Sequence, residues 1–98
     1  MPRYKIDRSG LGQRVNKLRE QKSIRVGGYT LYRLAKDARV NYAQLHRIIR
    51  GKSAPSRDSL IRICRALGCS REEIADIFAC TEYREPDEKE LEDRYVAA

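Results

Sequence analysis

The chain has 98 residues, in which 21 Lys and Arg face 14 Asp and Glu for a formal net charge of +7. That length suits one compact domain and excludes a two-domain enzyme, and no apolar run approaches the roughly 18 residues that a membrane helix needs. Met1 to Ser9 are polar and basic, without the apolar stretch of a secretory signal. The charge is unevenly placed. Residues 1–80 carry 18 basic and 7 acidic side chains and residues 81–98 carry 3 and 7, so a body of +11 precedes a tail of −4. A small basic body is an electrostatic footprint for a polyanion, most often nucleic acid.

Helical periodicity punctuated by caps dominates the chain, and strand signals are nearly absent. Residues 1–10 read as a basic arm carrying Arg3, Lys5 and Arg8. The first helix is expected from about Leu11 to Lys22, with Leu11, Val15 and Leu18 on one face, and Ser23 to Tyr29, containing Gly27-Gly28, reads as a loop. Thr30 caps a short second helix that turns Leu31, Leu34 and Ala35 inward and ends near Asp37 or Ala38. Asn41 caps the third, with Gln44 placed to complete a capping-box-like pair; Leu45, Ile48 and Ile49 face the core, and Gly51 ends it. Pro55 and Ser56 start a fourth helix, in which Leu60, Ile63, Cys64 and Leu67 repeat at i, i+3, i+4 and i+7 before Gly68. Ser70-Arg71-Glu72-Glu73 is a capping box for a fifth helix that buries Ile74, Ile77 and Phe78. The expected architecture is an all-α five-helix bundle over residues 11–80. The acidic tail, 81–98, reads two ways. It is either an extra C-terminal helix from Pro86, with Leu91 and Tyr95 as i, i+4 neighbours, or an unstructured end.

The stretch from Leu34 to Ile48 meets the spacing demands of a helix-turn-helix: a small Ala35 where two helices cross, Val40 plugging the turn, and Leu45 and Ile48 anchoring the second helix. Together with Arg50-Gly51-Lys52-Ser53-Ala54-Pro55-Ser56 and Ala66-Leu67-Gly68, it resembles the XRE-like family of phage Cro and phage repressor DNA-binding domains, over about Leu11 to Phe78. The resemblance implies sequence-specific binding of double-stranded DNA, commonly as a homodimer on a two-fold operator. It also implies transcriptional regulation, usually repression, in the cytoplasm of a bacterium or a phage-infected cell. Three positions depart from the family pattern: Leu31 and Arg39 stand where Gln and Gly are frequent, and Ile49 replaces a frequent acidic residue.

On the third helix, the arc opposite Leu45, Ile48 and Ile49 centres on Ala43 and is flanked by Arg50, Arg47, Tyr42, His46 and Gln44. Arg47 matches a guanine O6/N7 pair, Gln44 an adenine, and Ala43 a thymine methyl, so Tyr42, Ala43, Gln44 and Arg47 are the expected base contacts. Gln44 has the rival role of capping its own helix. Asn41, Arg33, Lys36, His46, Arg50, Lys52 and Ser53 are the expected phosphate contacts, which position the protein without reading sequence. Dimer contacts are expected from Ile77, Phe78, Tyr83, Leu91 and Tyr95. The alternative function is an antitoxin-like interaction module whose acidic tail binds a partner protein. No enzyme is expected, since paired carboxylates and a Ser/Cys–His arrangement are missing from the pattern. No metal or other cofactor is expected either, because Cys64-x4-Cys69-x10-Cys80 fits no common zinc spacing and His46 is the one histidine. Cys64 and Cys69 read as core residues in reduced form, with a redox sensor on Cys69 or Cys80 as the rival reading.

Overall fold

The computed structural model describes residues 8–79, 81, 83 and 86–89. Among the described residues there is no strand, and five α-helices are delimited: α1 (Arg8–Val26), α2 (Leu31–Ala38), α3 (Tyr42–Ile49), α4 (Arg57–Ala66) and α5 (Arg71–Ala79); Glu88 and Lys89, just past Pro86, are helical as well. The expected all-α bundle is the one observed.

Two repeated local devices set the helix boundaries. At the starts, Thr30, Asn41, Ser56 and Ser70 each accept a backbone N–H three residues on, at 3.1 Å in every case. Ser70 completes the box, its own N–H donating to Glu73 Oε1 at 2.8 Å. Tyr29, Val40, Pro55 and Cys69 precede these caps, and Leu34, Leu45, Leu60 and Ile74 lie four residues beyond them. All eight are buried except half-buried Val40, the arrangement of a hydrophobic staple.

At the exits, α1 to α4 close with the same long-reach bond. Gly28 donates to Ser23 O (2.8 Å), Val40 to Ala35 O (3.0 Å), Lys52 to Arg47 O (2.9 Å) and Cys69 to Cys64 O (3.0 Å). Such a closure needs a left-handed residue just before the donor. Gly27 (φ 78°), Gly51 (φ 75°) and Gly68 (φ 79°) supply it at three exits, and Arg39 (φ 59°) at the other.

α1 is longer than its sequence suggests, extending to Arg8 at one end and Val26 at the other. Residues 23–26, expected in a loop, continue the helix because the closure onto Ser23 O fixes the stop at Gly27. The connection to α2 is therefore only residues 27–30. Residues 8–10 of the expected arm belong to α1, and residues 1–7 lie outside the described residues.

The core joins Leu11 and Val15 of α1, Leu34 and Ala35 of α2, Leu45 and Ile48 of α3, Leu60, Ile63 and Cys64 of α4, and Ile74, Ile77 and Phe78 of α5. Ile61 is also fully buried, so α4 is enclosed on a wider arc than its i, i+3, i+4 stripe indicates. Past α5, Tyr83 stacks at a tilt on Phe78 (ring centroids 6.1 Å apart), and its hydroxyl donates to Pro55 O. Arg71 pairs with Glu88. The start of the expected tail is thus fastened to the bundle, while Leu91 and Tyr95 lie outside the described residues.

Candidate nucleic-acid interface

α2 and α3 pack on each other, α2 leans on α4, and α1 crosses α3. The turn between α2 and α3 is only Arg39, Val40 and Asn41. Arg39 donates to Lys36 O (3.2 Å), and Val40 reaches into the core between the helices. The turn is short because a left-handed Arg39 reverses the chain in one step.

Gly12 sets how closely α1 approaches the end of α3. A Cβ built there would lie 2.3 Å from Ile48 O and 2.6 Å from Ile49 O, so only glycine permits this crossing. With Leu45 and Ile48 buried and Ile49 half-buried, the opposite side of α3 is forced outward.

That outer side carries Tyr42, Ala43, Arg47 and Arg50, all exposed, with Gln44 and His46 half-exposed at its flanks. All four expected base contacts therefore share one accessible face. Asn41 is exposed, and its Oδ1 is engaged in capping Gln44 N–H. The reciprocal half of that expected box does not form: among the described residues the Gln44 side chain makes no bond back to Asn41. Lys52 is exposed at the exit of α3, tied to Arg47 through its backbone, and Ser53 is half-buried, with an Oγ enclosed and unpartnered among the described residues. Arg33 and Lys36 are exposed on α2.

The basic side chains of this face form no ion pair among the described residues, while several elsewhere are engaged. Arg14 bonds Asp76 (2.7 Å), Arg62 bonds Asp58 (3.0 Å), Arg71 pairs with Glu88, and Lys22 Nζ donates to Ala66 O (2.6 Å) at the end of α4. Among the described residues, Lys36, Arg47, Arg50 and Lys52 form no ion pair, and Arg33 meets only the Tyr29 ring, 5.4 Å from its centroid. Uncompensated charge gathered on one face raises the local potential for an anion.

Tyr32, which the sequence pattern does not single out, joins this face. Its ring, 65% exposed, lies 6.2 Å from that of Tyr42, which in turn lies 6.1 Å from His46. Tyr32 follows Leu31 at the start of α2, and its meeting with Tyr42 arises from the α2–α3 crossing, which spacing alone does not encode. The expected dimer residues are placed differently. Ile77 and Phe78 are each 1% exposed, held in the chain's own core, and as placed present no surface to a second copy. Tyr83 is half-buried against Phe78.

No curated protein and no solved structure gives a significant match to the chain. A family model described as the Cro/C1-type HTH DNA-binding domain matches residues 14–81. That span contains the α2–α3 hairpin, its capped turn and the α3–α4 joint. With the helix order and the exposed basic face already described, the chain belongs to the Cro/C1-type helix-turn-helix DNA-binding domains, the XRE-like family.

Proposed function

We propose that this protein is a sequence-specific regulator of transcription that reads duplex DNA with α3. The observation that carries the reading is the exposed face of α3, on which Tyr42, Ala43 and Arg47 project together with cations that have no acidic partner among the described residues. Arg47 takes a guanine edge in a bidentate way, Gln44 has its amide free for an adenine, and Ala43 admits a thymine methyl. Arg33, Lys36, His46, Arg50, Lys52 and Asn41 hold the flanking phosphates, with the α3 N-terminus adding backbone N–H groups; Ser53, its Oγ enclosed, is not among them.

Binding as a homodimer on a two-fold operator places two copies of α3 in successive major grooves about 34 Å apart. Repression by occluding polymerase is the simplest output of such a complex. The second copy is met through the tail, by Leu91 and Tyr95, with Tyr83 fixing its root and Ile77 and Phe78 supporting that root from within.

Footprinting on the DNA flanking the protein's own gene tests this. Protection of a two-fold site is expected. Arg47→Ala and Gln44→Ala are each expected to erode discrimination at one base pair by roughly 5- to 150-fold, while Lys52→Ala weakens all sequences alike. Equal weakening of every sequence by Arg47→Ala and Gln44→Ala overturns the base-reading assignment.

A further inference from the structure

An exit closure sets the residue whose carbonyl accepts beside the residue whose N–H donates, and where both carry side chains it brings these close. At the end of α2 these are Ala35 and Val40, an ordinary apolar contact. At the end of α4 they are Cys64 and Cys69, joined through the backbone by the 3.0 Å bond from Cys69 N–H to Cys64 O across left-handed Gly68. Their thiols are hydrogen-bond partners. Cys64 is fully enclosed, whereas Cys69 keeps 9% of its surface in solvent and also occupies the staple position before α5.

Their surroundings divide the two sulfurs by role. The hydrogen bond from Cys64, with support from Arg14 and Arg25, holds the Cys69 thiol below its usual range against burial and the nearby Glu73. The same hydrogen bond, together with burial, pushes Cys64 up. Arg25 Nη2 lies 3.8 Å from where a Cβ on Gly68 would sit, so a guanidinium overhangs this turn. A thiolate-prone, slightly accessible sulfur beside a protonated, enclosed one is the division between an attacking and a resolving cysteine.

We propose that Cys64 and Cys69 form a dithiol modification site, which a hydroperoxide converts to an intramolecular disulfide at the α4–α5 joint. The Cys69 thiolate attacks a peroxide oxygen; an S–O bond forms, the O–O bond breaks, and hydroxide leaves to give a sulfenic acid. Cys64 then gives up its proton as its sulfur attacks the sulfenic sulfur. The S–S bond forms, the S–O bond breaks, and water departs. Overall two thiols lose two electrons and hydrogen peroxide is reduced to two waters. The short closed loop, residues 64–69, locks the end of α4 to the entry of α5.

The test uses the full chain, reduced, desalted, treated with hydrogen peroxide, capped with iodoacetamide and digested with trypsin. Cleavage after Arg62, Arg65 and Arg71 yields Ile63–Arg65 and Ala66–Arg71. Recovery of these two peptides as one disulfide-linked species is expected, with loss of two of the three thiols. Cys80→Ser is expected to give the same linked species. Cys64→Ser, lacking the resolving thiol, is expected to leave a Cys69 sulfenic acid that dimedone captures. A Cys69–Cys80 link, covalent dimers as the main product, or Cys64 and Cys69 left unmodified at peroxide levels that oxidise free cysteine would each overturn the proposal. So would dimedone capture no greater in Cys64→Ser than in the parent.

Discussion

Arg39 holds φ 59° and ψ 45° at the exit of α2, where the exits of α1, α3 and α4 have glycine. A side chain in that conformation crowds its own backbone at roughly 1 kcal/mol or more, while glycine gives part of that back through a freer unfolded chain. Alanine carries the same strain without the arginine charge, so the informative pair is Arg39→Gly against Arg39→Ala. Glycine is expected to be the more stable by about 1 kcal/mol, read from urea midpoints at an unchanged m-value; equal midpoints would remove the strain argument. Tyr29 is a second residue whose weight exceeds its place in the chain. It is 1% exposed, its hydroxyl donates to Asp37 Oδ2 at 2.6 Å, and Lys22 Nζ sits 4.3 Å from its ring centroid. Burial, then the hydrogen bond to Asp37 and its negative charge, push this phenol well above its usual range against the opposing Arg33. The folded pKa is thus higher than the unfolded one. The corresponding stability is fully present below about pH 10, and is lost as pH rises beyond that through the folded pKa. Chemical denaturation between pH 9 and 11 is expected to show a steeper alkaline loss in the parent than in Tyr29→Phe, which at neutral pH costs about 1.5 kcal/mol for the bond to a charged acceptor. Parallel curves would show that Tyr29 titrates alike in both states.

Among the elements, α1 and α3 approach through Gly12 with no room for a methyl group. The clash is with backbone carbonyls of Ile48 and Ile49, which rotamer changes cannot relieve. Gly12→Ala therefore has to move α1 away from the end of α3, at a cost of about 1–3 kcal/mol. Amide chemical shifts are expected to change from Leu45 to Lys52, with DNA affinity falling; shifts confined to α1 would mean that the crossing adapts elsewhere. Nothing in the sequence marks Gly12, because a glycine inside a helical pattern is ordinarily a weak point and its value appears only once two helices meet. The caps were legible for the opposite reason. Thr30, Asn41, Ser56 and Ser70 act through bonds three residues long, and Gly51 and Gly68 through local backbone sign. Tyr29 carried a readable signal, an apolar residue directly before a cap and five before Leu34, but its neighbours Gly27-Gly28 favour a loop reading. On the site side, the outward face of α3 follows from its inward stripe. The Tyr32–Tyr42 contact depends on the angle between two helices, which no spacing encodes. The burial of Ile77 and Phe78 was legible in the apolar stripe of α5, and that burial leaves their expected dimer role without a surface.

For the whole molecule, the division into a body of +11 and a tail of −4 bears on affinity through released counterions. Four cations on the proposed DNA face are assigned to phosphates: Arg33, Lys36, Arg50 and Lys52. Each neutralised phosphate contributes about −0.9 to the slope of log affinity against log salt. One copy bound alone is then expected to give a slope near −4, and two copies on a two-fold site a slope near −7. Lys52→Ala separates these cases again, since it removes one phosphate contact from a single copy and two from a pair, flattening the slope by about 1 or about 2 respectively. Measured by fluorescence anisotropy on the footprinted site, a parent slope near −7 with a change near 2 supports the pair. A slope near −4 with a change near 1 places a single copy on the DNA. If Lys52→Ala lowers affinity without altering the slope, Lys52 acts on the fold or on a base, and the charge left unpaired at the end of α3 does not meet a phosphate.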